Sequence, residues 1–240
     1  MFKDNDTINQ RGPAVYASNL KALADVVREN GLRSKAVREF LMEGAVPEAT
    51  PHRPNHAGCS YRNADGAINR ISVTEKRICR CMYYFNRLEA SQKQQEKCEG
   101  CDFPGKRKNI SDYTILDYEV PMPYVVSGAG GIDLLVESPN GKIYAVEVKP
   151  DDSKETLARM IAEILTYCEI SDYTVLNRGC SLPVQPAICF FKNSQQWEDY
   201  FKLQSNSDLE FLLGLIKVFY ITQDDSVFEI HDAEVEPICR

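Results

Sequence analysis

The chain has 240 residues, of which 43% are hydrophobic and 26% charged, with a formal net charge of −7. That composition supports a folded core and excludes a disordered chain, and no apolar run approaches the roughly 20 residues of a membrane span. The acidic balance argues against an indiscriminate nucleic-acid binder.

In chain order, the polar start Met1-Phe2-Lys3-Asp4-Asn5-Asp6 lacks the apolar stretch of a secretory signal. Residues 17–43 read as helical, with Leu20, Leu23, Val26 and Val27 spaced for one face and Val37, Phe40 and Leu41 for another. Asn30-Gly31 breaks them into two helices. Residues 44–70 are rich in Pro and Gly and predict an irregular connection. A further helix is expected within 82–97. The stretch 70–108 carries ten Lys/Arg against five acids, so it is +5 and the remainder −12. Its candidate phosphate-binding residues are Lys76, Arg77, Arg80, Arg87, Lys106, Arg107 and Lys108; a solvated charged helix accounts for the same run.

The same stretch holds Cys79-Arg80-Cys81 and Cys98-Glu99-Gly100-Cys101. Four thiolates in two pairs suit a structural Zn²⁺, provided Cys79 and Cys81 lie in an extended segment, because positions i and i+2 diverge on a helix. His52, His56 and Cys59 lie nearby, so the ligand set stays open; an iron–sulfur cluster and plain reduced thiols are the alternatives. Nine cysteines is an odd count, and Cys168 and Cys189 sit in apolar segments. This fits a reduced, cytoplasmic protein better than a disulfide framework.

From about 112 the texture changes. Tyr113–Val120, Ile132–Val136, Ile143–Val148, Pro186–Phe191, Val218–Thr222 and a last segment near Val227–His231 read as strands. Helices are predicted over 153–169, with Leu157, Ile161, Ile164 and Leu165 on its apolar side, over Ser194–Leu203 and over Ser207–Leu215. This is an α/β plan with a mixed sheet, divided into a helical portion over 1–110 and a core over 111–240. If Pro139-Asn140-Gly141 is a three-residue hairpin loop with Gly141 left-handed, Ser138 faces Lys142, and counting back sets Asp133 opposite Glu147. Two carboxylates across a strand pair, their side-chain roots roughly 5 Å apart, are destabilising unless neutralised. A divalent cation would neutralise them. Lys149, two residues beyond Glu147, shares its face. A structural salt bridge, with Lys149 spanning both acids, accounts for the same pattern.

Gly131-Ile132-Asp133, thirteen residues, Glu147-Val148-Lys149 and then a helix resemble the PD-(D/E)XK nuclease superfamily, with Ile132 where that motif has Pro. The superfamily includes restriction endonucleases, junction resolvases and RecB-like exonucleases. Glu163-Ile164-Leu165-Thr166-Tyr167 is similar to the Gln-x-x-x-Tyr motif of the RecB-like branch, with Glu for Gln. Glu163 and Tyr167 are one helical turn apart and share a face. The resemblance spans roughly 112–231. It implies a restriction-endonuclease-like core and metal-dependent hydrolysis of DNA that leaves 5′-phosphates. Asp133, Glu147 and the Val148 carbonyl would hold Mg²⁺ or Mn²⁺. Lys149 would orient or deprotonate the attacking water, its ammonium pKa lowered by metal and burial, with Glu163 and Tyr167 in support. A third acid is expected upstream, Glu119 first and Glu89 second. DNA is the expected partner, membranes are not, and a homodimer is compatible with the reading. The competing expectation is a non-catalytic, zinc-containing DNA- or protein-binding module on a degenerate nuclease fold.

Overall fold

The computed structural model describes residues 8, 13–41, 60–62, 68–70, 74–85, 112–121, 131–170, 184–203, 205–223 and 228–233. Helix α1 (Pro13–Asn30) buries Leu20, Leu23, Ala24 and Val27, which recur at helical spacing. It ends at Gly31, whose φ of +83° is accessible to glycine without steric cost. Helix α2 (Lys35–Leu41) follows, so the expected break is where the chain places it. In the stretch expected to be irregular, β1 (Ser60–Arg62) and β2 (Ile68–Arg70) pair as an antiparallel ribbon.

Helix α3 spans Thr74–Phe85 and so begins eight residues before the helix expected within 82–97. It is buried from Ile78 through Tyr84, with Cys79 and Cys81 among the apolar residues of that run. Reading the two cysteines as ligands hid an apolar face that is plain once they count as small hydrophobes.

Strands β3 (Thr114–Pro121), β4 (Gly131–Glu137), β5 (Ile143–Lys149), β6 (Gln185–Phe191), β7 (Lys217–Gln223) and β8 (Phe228–Asp232) form one sheet whose spatial order is the chain order. The pairs β3–β4, β4–β5 and β7–β8 are antiparallel, and β5–β6 and β6–β7 are parallel. The parallel steps need crossovers. These are α4 (Leu157–Ile170) between β5 and β6, and α5 (Gln195–Lys202) with α6 (Ser207–Leu213) between β6 and β7. The fold is therefore α/β with a mixed sheet.

Strand alternation splits the core into two layers. Ile143 and Ala145 of β5, with Ile188 and Phe190 of β6, pack with α1, α4 and α6. Tyr144, Val146 and Val148, with Ala187 and Cys189, pack with α3. Helix α4 is buried on all sides from Leu157 to Cys168, not along one stripe, because α1 and α2 cover the side turned away from the sheet. Cys168 and Cys189 are core residues, as their apolar segments suggested. Trp197 packs edge-on against Phe201 and Tyr220, and Tyr83 and Tyr84 against Tyr118.

Candidate active site

The site is organised by the β4–β5 hairpin. Gly141 has φ +76°, Ser138 N–H donates to Lys142 O at 2.9 Å, and Gly141 N–H donates to Ser138 O at 2.9 Å. The loop is thus Pro139-Asn140-Gly141. The register runs Glu137↔Ile143 to Leu134↔Val146, and one further step sets Asp133 across from Glu147. By strand parity Glu147 and Lys149 lie on the α4 side of β5, while the first turn of α3 reaches the same strand end from the other layer.

Asp133 is 8% exposed, and its Oδ2 accepts a hydrogen bond from Val148 N–H at 2.7 Å. Glu147 is 2% exposed; its Oε1 accepts from Lys149 Nζ at 2.6 Å, and its Oε2 has no hydrogen-bond partner among the described residues. On α4, Tyr167 Oη donates to Glu163 Oε1 at 2.8 Å, and Arg159 Nη2 lies 3.5 Å from the same oxygen. Among the described residues Glu163 Oε2 makes no hydrogen bond, and it lies 3.8 Å from Lys149 Nζ. The structure therefore brings together Asp133, Glu147, Lys149, Glu163 and Tyr167.

It also adds acids that the sequence reading lacked. Lys149 Nζ lies 3.2 Å from Glu75 Oε2 on α3 and 3.3 Å from Glu155 Oε2 in the β5–α4 connection. Glu155, Arg159, Glu163 and Tyr167 follow one another at four-residue intervals, a spacing visible in the sequence. Glu75 had no such signal, since its approach depends on how α3 docks.

Charge dominates the chemistry here. Burial pushes the Asp133 carboxyl well above the usual carboxylate range, and the neighbouring Glu75 adds to this. Burial does the same to Glu147, reinforced by Asp133 and Glu163, and to Glu75 against the pull of Lys149. For Lys149, burial favours the neutral amine, but Glu147, Glu163, Glu75 and Asp133 outweigh it and hold the ammonium well above its ordinary pKa. The depression expected from metal and burial is therefore opposed by the protein's own carboxylates.

Other expectations are corrected. Glu119 stands across from Asp133 in the β3–β4 register, between Tyr118↔Leu134 and Val120↔Ile132. Its φ is +43°, and its carboxylate pairs with Arg80 Nε at 2.7 Å and Lys76 Nζ at 3.3 Å on α3. Glu75, not Glu119, is the upstream acid at Lys149. Arg80 is buried in that pair and is no surface contact for phosphate, whereas Lys76 is exposed and Arg77 half-buried. Cys79 and Cys81 occupy one continuous helix inside the core, where their side chains diverge, so they do not form a ligand pair. Burial, with the Asp133 and Glu75 charges, drives the Cys79 thiol pKa up, which opposes the thiolate that zinc requires. Among the described residues no three Cys, His, Asp or Glu side chains form a ready metal cage. Glu89, His52, His56, Cys59, Arg87, Cys98, Cys101, Lys106, Arg107 and Lys108 lie outside the described residues. No described helix is long and apolar enough to cross a membrane.

No protein-family model, curated protein or solved structure matches this chain.

Proposed function

We propose that this chain is a metal-dependent nuclease that hydrolyses DNA phosphodiester bonds at Asp133, Glu147 and Lys149. The observation that carries the reading is the Asp133–Glu147 pair, two buried carboxylates across adjacent strands, with Glu147 Oε2 left without a hydrogen bond. An unpaired buried carboxylate oxygen is costly, and a hard cation that takes oxygen ligands is the chemistry that relieves it. Asp133, Glu147 and the Val148 carbonyl are the donors for Mg²⁺ or Mn²⁺. Such an ion supplies positive charge against a phosphate in reaction and acidifies water.

The chain's own residues do the rest. Lys149, held as an ammonium, donates hydrogen bonds and so orients water and offsets negative charge on the phosphate. Glu163, fixed by the Tyr167 hydroxyl, offers its second oxygen towards Lys149. Val148 N–H holds Asp133 in one orientation. Of the basic residues, Lys76 remains an exposed candidate for the DNA backbone.

The closed ion-pair network of Lys149 with four carboxylates favours a second reading, a non-catalytic DNA- or protein-binding module. Incubation with plasmid, linear, branched and single-stranded DNA in Mg²⁺ or Mn²⁺ separates the two. Cleavage by the wild type that is lost in Asp133→Ala and Lys149→Ala supports the nuclease. Retention of DNA without cleavage in either metal, or equal cleavage by both variants, overturns it.

A further inference from the structure

Four segments send one carboxylate oxygen each to a single point. Around Lys149 Nζ stand Glu147 Oε1 at 2.6 Å from β5, Glu75 Oε2 at 3.2 Å from α3, Glu155 Oε2 at 3.3 Å from the β5–α4 connection and Glu163 Oε2 at 3.8 Å from α4. Nothing local requires this convergence, because the four residues come from separate elements. Among the described residues, the positive charge at the centre of the four is the lysine's own side chain, 6% exposed, with Arg159 reaching only the far oxygen of Glu163. Two of the four acids are deeply buried, and each keeps one oxygen without a hydrogen bond. In Glu163 that oxygen is the one turned to the ammonium.

We propose that this point is a cation locus for which Lys149 and a divalent metal compete, with the ammonium as the resident occupant of the metal-free protein. The inference rests on the metal-dependent reading above and adds Glu75 and Glu155 to the donors that a hard divalent ion draws upon. Oxygens packed around an ammonium stand farther out than the roughly 2.0–2.6 Å of Mg²⁺ or Ca²⁺ coordination. This agrees with the lack of a ready three-ligand cage among the described residues. A metal must therefore displace the ammonium and draw the carboxylates inward. The lysine sets metal affinity by occupying the locus, in addition to whatever it does for water.

The consequence runs against the usual effect of removing a site residue. Lys149→Met keeps the stem's bulk and removes the charge, leaving four acids with no internal cation. It should bind Mn²⁺ at least about tenfold more tightly than the wild type, a difference near 1.4 kcal/mol. Adding Glu75→Gln or Glu155→Gln to that variant should reverse the gain. Manganese binding is followed by calorimetry and by loss of the free-ion electron-spin signal, neither of which needs DNA. Lys149→Gln is measured beside it in case the methionine variant does not fold without metal. Folding of either variant only when Mn²⁺ is added supports the proposal. Unchanged or weaker Mn²⁺ binding in both variants overturns it, as does failure of both to fold at saturating Mn²⁺. Wild-type cleavage of DNA without tighter binding by the variants removes the competition and leaves the nuclease standing. Tighter binding without any cleavage does the opposite.

Discussion

Replacing Glu147 with Gln should change the pH dependence of stability in a definite direction. Burial raises the carboxyl pKa values of Asp133 and Glu147, and mutual charge adds to it. In the metal-free protein the folded state therefore holds protons that the unfolded chain has released. Stability then falls as pH rises above the ordinary carboxylate range, because the unfolded state binds fewer protons. The Lys149 pKa is raised as well, but its contribution is complete below the ordinary lysine pKa and stays constant across acid to neutral pH. Each proton retained only by the folded state contributes a slope of about 1.4 kcal/mol per pH unit. Glu147→Gln removes one acid from the cluster while keeping its shape. The wild type should lose stability relative to the variant by up to about 1.4 kcal/mol per pH unit between about pH 5 and pH 7. Urea unfolding in a chelator at several pH values measures this. Parallel profiles for the two proteins would show that the cluster takes up no proton on folding, and the electrostatic account would fail.

Gly131→Ala should cost about 2–3 kcal/mol, at the upper end of overpacking effects, because a Cβ there would lie 2.6 Å from the Val120 carbonyl oxygen; denaturant unfolding reads the loss. Gln196→Met should cost about 2 kcal/mol, since Gln196 Nε2 donates to Ser153 O at 3.2 Å and Glu155 O at 2.7 Å, and the same titration checks it. Saturating Mn²⁺ should raise the wild-type melting temperature, by about 2.7 kcal/mol of added stability at a hundredfold excess over Kd; Asp133→Ala should show no rise in the same scan.

How far the sequence could be read depended on the range of the interaction. The β4–β5 register was legible because Gly141 and its neighbours carry turn chemistry and the flanking strands are apolar, so Asp133 and Glu147 could be paired by counting. The α1–α2 break was legible for a similar reason, Gly31 being local. Glu75 was not legible, because its place at Lys149 follows from α3 docking against a strand end 74 residues away in sequence. Glu119 was the first candidate for the third acid, and the β3–β4 register does set it across from Asp133. Its left-handed backbone, fixed against Arg80 and Lys76, takes the carboxylate elsewhere, and alternation carries no information about that. The sign of the Lys149 shift likewise depended on how many acids converge there. Metal charge and burial together predicted a fall, and the carboxylates that tertiary packing gathers around the protein's own lysine act the other way.

The site's central pair is closed by a three-residue turn, and its lysine sits in the same hairpin. Among tertiary contacts, a hairpin of this span forms early, on the order of microseconds, well before helices from distant parts of the chain dock. The hairpin by itself brings Asp133, Glu147 and Lys149 together, and the packing of α3 and α4 is what closes the site over them. Its charges cost little while the hairpin is solvated, and the electrostatic cost of the site is incurred where α3 and α4 bury it. Glu75 on α3 and Glu163 on α4 seal the hairpin's charge inside the protein, so the stability of the site is tied to how firmly those two helices dock.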